Sequence, residues 1–123
     1  MRCVEQRRSF DGVRIFKGLD RERLLSALRP WAIDAKHRHP EVECVGLFGS
    51  YARGDHAPGS DVDILLLVRQ CEQPRWFLRS LAYDTASLPV GVDLLVYTEE
   101  EARRLSAQSK WFQRVLSEVV WLC

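Results

Sequence analysis

Apolar residues in this chain gather into short runs divided by polar, turn-forming stretches. Val42–Phe48 (VECVGLF), Val62–Val68 (VDILLLV) and the run VDLLV at 92–96 are rich in aliphatic and β-branched residues. Runs of that length bounded by turn residues predict strands, here over 43–48, 62–68 and 92–97. Upstream the period changes. Leu24, Leu25 and Leu28 share one face of a helix that begins at Arg21 and that Asp20 can cap. Pro30 is expected to end or kink it, with a second helical stretch over 31–37. A short helix is expected over 51–53, capped by Ser50. Pro74 suits a first helical turn and opens an expected helix running to about Ser87. Pro89 and Gly91 separate that helix from the last strand. Glu99, Glu100 and Glu101 put acids at the positive end of a further helix. Residues 1–12 show no periodicity and are expected to be flexible. A short strand is expected over 13–16, and 13–123 reads as a single domain.

The predicted fold class is α/β in the broad (α+β) sense, a small mixed β-sheet packed by helices. At 123 residues and 46% hydrophobic content the chain can bury a core. The net charge of +1 gives no strong nucleic-acid signal. Arg7-Arg8 is too short to argue for one, and no aromatic ladder accompanies basic residues. The first ten residues carry charges without an apolar centre, unlike a signal peptide, and no run is long enough for a membrane span. The expected location is cytoplasmic. Cys3, Cys44, Cys71 and Cys123 are scattered and read as free thiols. His37, His39 and His56 lack the spacing of a zinc site.

Candidate chemistry sits between the first two strands. Gly49-Ser50 is followed by ten residues and then Asp61-Val62-Asp63. Glycine lets a ligand approach the backbone closely, and a helix start offers unpaired N–H groups to phosphate oxygens. Asp61 and Asp63 lie two apart on a strand and so share a face. Two carboxylates on one face repel unless a cation lies between them, and hard oxygen ligands suit Mg²⁺. Asp93 is the only charge in the third run and can join them if that strand pairs beside the second. Arg53 can reach a phosphate or a nearby acid, or pack its stem on the surface. Ser60 can hydrogen-bond the start of the strand or a phosphate. Gly49 to Gly54 is followed by Asp55 rather than Lys-Ser or Lys-Thr, which excludes a P-loop. The dinucleotide fingerprint is absent as well.

The segments GSYARG at 49–54, GSDVDILL at 59–66 and VDLL at 92–95 resemble the DNA polymerase beta-like nucleotidyltransferase superfamily, most closely its minimal branch (MNT). That branch includes antitoxin partners of HEPN toxins. The specific match covers 43–97, and a weaker likeness over 111–122 implies a closing short helix and an apolar edge strand. The resemblance implies a polymerase beta-like nucleotidyltransferase fold, two Mg²⁺ ions, and ATP or another nucleoside triphosphate as substrate. Gly49 and Ser50 would then bind the triphosphate, with Arg53 and Ser60 as further nucleotide contacts. Asp61 and Asp63 would hold metal. Asp93 would be the third acid, either a ligand or the base for an attacking hydroxyl. The implied activity is transfer of a nucleoside monophosphate, AMP from ATP, to a hydroxyl on a helical partner protein, a HEPN-type toxin. Two rival readings remain open: an antitoxin that blocks its toxin by contact alone, and a small-molecule enzyme of the aminoglycoside type.

Strand alternation leaves Leu65, Leu67, Leu95 and Tyr97 beside the acids, in need of burial. Larger relatives close the cleft with a second helical domain, for which this chain has no residues. A partner protein docked on that apolar patch is therefore expected. The competing arrangement has a helix over 99–116 folding back to cover it.

Overall fold

The computed structural model describes residues 20–123. The expected flexible stretch 1–12 and strand 13–16 lie outside them. The first element is α1 (Arg21–Arg38), whose N-cap Asp20 accepts a hydrogen bond from the Arg23 N–H at 2.8 Å. It runs unbroken through Pro30, so proline does not divide it into two helices. The ring removes one backbone hydrogen bond. It does so on the exposed side, while Leu24, Leu28, Ala32 and Ala35 bury a continuous stripe on the other. Packing of that stripe outweighs the local cost.

Four strands form one sheet in the order β3-β2-β1-β4. These are β1 (Val42–Phe48), β2 (Val62–Val68), β3 (Val92–Thr98) and β4 (Val120–Trp121). The central pair β1–β2 is antiparallel and bulged between Val42 and Cys44. β2 and β3 run parallel, which requires a crossover. The crossover contains a 3₁₀ helix, Trp76–Ala82, rather than the α-helix from Pro74 to Ser87 that the proline suggests. Its Arg79 is buried and bonds the carbonyls of Gln73 (2.8 Å) and Val96 (3.2 Å), which fastens the segment to β3.

Alternation along β2 sorts the core into two halves. Val62, Ile64, Leu66 and Val68 pack with Leu24, Leu28 and Ala32 of α1. Leu65 on the opposite face packs with Phe48, Ala102, Phe112 and Val115. The last three belong to the chain's closing segment, where α3 (Glu99–Gln108) and α4 (Lys110–Glu118) are separated at Ser109. Thr98 and Glu101 form a reciprocal capping box at the start of α3. The acidic triplet therefore begins a helix as expected, but two helices occupy the place of the single one over 99–116.

This second layer overturns the expected docking patch. Leu65 is fully buried, and Leu67, Leu95 and Tyr97 pack partly buried against the same cluster. Tyr97 meets Phe112 edge-on at 5.6 Å. The chain's own C-terminal helices cover the apolar end of the acid-bearing face.

Candidate active site

The turn after β1 is built on glycine. Gly49 is the N-cap of α2 (Ser50–Arg53), with φ 80° and ψ −156°, a conformation that disfavours any side chain. A Cβ at this position would also collide with the Asp63 carboxylate. The cap therefore belongs to Gly49, and Ser50 is the first helical residue, with no side-chain cap bond. Gly54 closes the turn in the left-handed region.

Sheet register sets the acids. Phe48 pairs with Asp63, and Asp63 pairs with Asp93. One row across three strands thus carries the end of β1 and two carboxyl-bearing residues on adjacent strands. Asp63 is half-buried. Burial first, then the nearby charges of Asp93 and Asp61, push its carboxyl above the usual carboxylate range. Asp61 precedes β2, and its Oδ1 lies 2.5 Å from where a Cβ on Gly91 would stand. The bare Gly91 backbone makes room for that carboxylate.

A cleft of about 1280 Å³ opens over this row, bounded by Gly49, Ser50, Arg53, Asp63 and Asp93. Asp61 and Ser60 do not line it. Ser60 instead closes a turn, its hydroxyl accepting from the Ala57 N–H at 3.1 Å. Among the described residues no three His, Cys, Asp or Glu side chains converge closely enough to hold a metal ion as they stand. The donor set nevertheless fits a hard divalent cation in chemistry: carboxylate oxygens only, on neighbouring strands, with a mutual repulsion already felt at Asp63 that a cation would relieve.

Two further features had no local signal in the sequence. Glu118, the last residue of α4, accepts a hydrogen bond from the Gly49 N–H at 2.9 Å and from Arg53 Nη1 at 3.1 and 3.2 Å. The other wall of the cleft is apolar, with Trp76, Phe77 and Leu81 of the 3₁₀ helix and Trp111 of α4, all well exposed. The spacing of neither group is helical or strand-like relative to the acids, since each reaches the cleft through tertiary packing.

Comparison with known proteins agrees with this geometry. The family model described as a nucleotidyltransferase domain matches residues 33–120. No curated protein sequence matches at a significant level. A crystal structure of a candidate nucleotidyltransferase from Sulfolobus solfataricus is 27% identical, with 82% of this chain and 80% of that one covered and a TM-score of 0.59. A toxin–antitoxin crystal structure with AMP-PNP is 28% identical over 77% of this chain and 72% of that one, with a TM-score of 0.53. A looser likeness, 23% identical with a TM-score of 0.46 over 84% and 71% of the two chains, is to a Shewanella oneidensis complex of a tri-AMPylated HEPN toxin with an MNT antitoxin.

Proposed function

Because this chain belongs to the nucleotidyltransferase domain family, we propose that it transfers a nucleoside monophosphate from a triphosphate, ATP by preference, to a hydroxyl on a partner protein. The observation that carries this reading is the register of Asp63 and Asp93 beside the Gly49 turn. The Gly49 turn and these two acids thereby share one open cleft.

In this reading Gly49 admits the triphosphate against bare backbone, and Ser50 and Arg53 hold its oxygens. Asp61, Asp63 and Asp93 would hold Mg²⁺, Asp61 after turning toward the cleft. Bound Mg²⁺ supplies neutralisation of the triphosphate charge and of the departing pyrophosphate. The acceptor oxygen bonds to the α-phosphorus as the bond to the bridging oxygen of the leaving pyrophosphate breaks. Asp93 is exposed on the cleft lining, and in its alternative role it would take the acceptor's proton instead of holding metal.

A protein acceptor is favoured over a small molecule by the opposite wall. Trp76, Phe77, Leu81 and Trp111 hold apolar surface in water beside the acids, as surfaces that dock other proteins do. The similar chain in a toxin–antitoxin structure supports a toxin as that protein, and the MNT resemblance points to the HEPN type. Free thiols at Cys44, Cys71 and Cys123 accord with action in the cytoplasm.

The test is incubation with α-labelled ATP, Mg²⁺ and a helical HEPN-type toxin as candidate acceptor. Label on that protein, lost with Asp63→Asn, is the expected result. Tight association with no label from any nucleoside triphosphate would instead favour an antitoxin acting by contact, and label on an aminoglycoside would favour the small-molecule reading.

A further inference from the structure

The C-terminal helix ends in a feature that local rules disfavour. Glu118 is the last residue of α4. A carboxylate there opposes the helix dipole. Its side chain is also only 16% exposed, and carboxylates are rarely buried without partners. The partners are the two ends of the phosphate-side turn: the Gly49 N–H and the Arg53 guanidinium.

Packing aims the carboxylate there. A Cβ on Gly46 would lie 2.5 Å from Val119 Cγ2 and 2.9 Å from Trp121 Cε3. The bare backbone of Gly46 thus lets the segment after Glu118 lie flat on β1. The Leu122 N–H bonds the Val45 carbonyl at 2.8 Å and completes the seam. Glu118 is thereby held over the end of the same strand that delivers Gly49.

Arg53 is gripped from two sides. Its Nε donates to Asp55 Oδ2 at 3.1 Å, and its Nη1 donates to both oxygens of Glu118. The third nitrogen, Nη2, takes no part in these bonds. Two acids fix the plane of the guanidinium, and a planar fork fixed in this way loses little freedom when it meets an anion.

The geometry points to Glu118 as a positioning residue for nucleotide binding: it locks the Gly49–Arg53 turn so that Arg53 Nη2 is presented to a phosphate oxygen. The inference rests on the nucleotidyltransferase reading above and adds a residue from outside the Gly-Ser and Asp-x-Asp segments. It also ties the C-terminal helix to the phosphate side of the cleft, so that displacement of α4 unlocks the turn.

Glu118→Gln, Glu118→Asp and Glu118→Ala test it in the full chain, read by melting temperature, calorimetric binding of ATP with Mg²⁺, and NMR of the Gly49 amide and Arg53 side-chain N–H groups without ligand. Glu118→Gln keeps an acceptor for the Gly49 N–H but loses the negative charge that faces Arg53. The expected result is a melting temperature close to wild type, faster exchange of the Arg53 N–H protons, and at least tenfold weaker binding, with partial recovery in Glu118→Asp. Tighter binding in Glu118→Gln would show the carboxylate to be a competitor of phosphate and overturn the proposal. So would a loss of melting temperature with unchanged affinity, which is the mark of a purely structural role. Unchanged Arg53 signals in Glu118→Gln overturn it whatever the wild type binds. A wild type that binds no ATP with Mg²⁺ while Arg53 loosens as expected overturns the nucleotide reading instead. If Glu118→Ala does not fold, the glutamine and aspartate variants still decide.

Discussion

Asp63 and Asp93 stand opposite each other in register on adjacent parallel strands, and burial first, then the charge of Asp93, raises the proton affinity of Asp63. The pair is strained by its own charge. Asp63→Asn should therefore raise the melting temperature of the ligand-free protein while lowering nucleotide transfer by on the order of 10³-fold or more, the scale of losing a main charge-stabilising group in phosphoryl transfer. Calorimetry and a transfer assay on the same preparation check both halves. Equal affinity for ATP with Mg²⁺ in wild type and variant counts against the role given to Asp63.

Gly49→Val should remove triphosphate binding. Its φ of 80° is unsuited to a β-branched residue, and the new side chain would strike the Asp63 carboxylate. One substitution thus disturbs the turn and the acid together. Ser50→Ala should be milder, with binding weakened by roughly ten- to a hundredfold, because one hydrogen bond to a charged group contributes about 1.5–3 kcal/mol. A larger loss in Ser50→Ala than in Gly49→Val, measured by calorimetry, would reverse the roles.

The local code is legible wherever a short run and its turn determine each other. The expected strands over 43–48, 62–68 and 92–97, the Asp20 cap and the acidic start of α3 are all found within a residue or two. Pro30 and Pro74 misled for a common reason. Proline states what the backbone cannot bond locally, whereas the Leu24–Leu28–Ala32 stripe carries α1 through. Arg79 draws the segment after Pro74 into a 3₁₀ helix fixed to β3. On the cleft, Gly49, Ser50, Arg53, Asp63 and Asp93 come together. Asp61 and Ser60 lie outside its lining, which strand alternation alone does not reveal. Glu118 was illegible because its meaning depends on Gly46, whose missing side chain seats the residues after it.

Arg79 and Glu101 should govern acid stability. Arg79 is buried and bonds both Glu101 oxygens. The Arg79 hydrogen bonds are the main cause holding the Glu101 carboxyl down at about 2, below its ordinary 4.5. A depressed carboxyl stabilises the fold above its unfolded value, and that contribution is lost as pH falls from about 4.5 toward 2. Melting temperatures of wild type and Glu101→Gln should differ most at neutral pH and converge across that window. Arg79→Met should cost about 3–5 kcal/mol, as removal of one partner from a buried pair does. Parallel melting curves for wild type and Glu101→Gln from pH 6 to pH 2 would contradict this account.

The two apolar regions near the cleft should respond in opposite ways to charge. Tyr97 packs edge-on against Phe112, which is fully buried. Tyr97→Asp puts a carboxylate into this apolar cluster, where Glu101 already engages Arg79, and should unfold much of the protein. Leu95→Asp should do likewise, since Leu95 packs against the same cluster. Leu81, by contrast, is 81% exposed on the opposite wall, so Leu81→Asp should change stability by no more than about 0.5 kcal/mol. If the acceptor is a protein docked on that wall, Leu81→Asp and Trp76→Asp weaken partner binding and transfer together, because positioning of the acceptor hydroxyl supplies much of the rate. Affinity for ATP with Mg²⁺ should stay near wild type in Leu81→Asp, which separates a docking defect from a nucleotide defect. Full transfer to the partner protein by a folded double variant, Trp76→Asp with Leu81→Asp, would remove the apolar wall from the mechanism and leave the acceptor to be found by the acids alone.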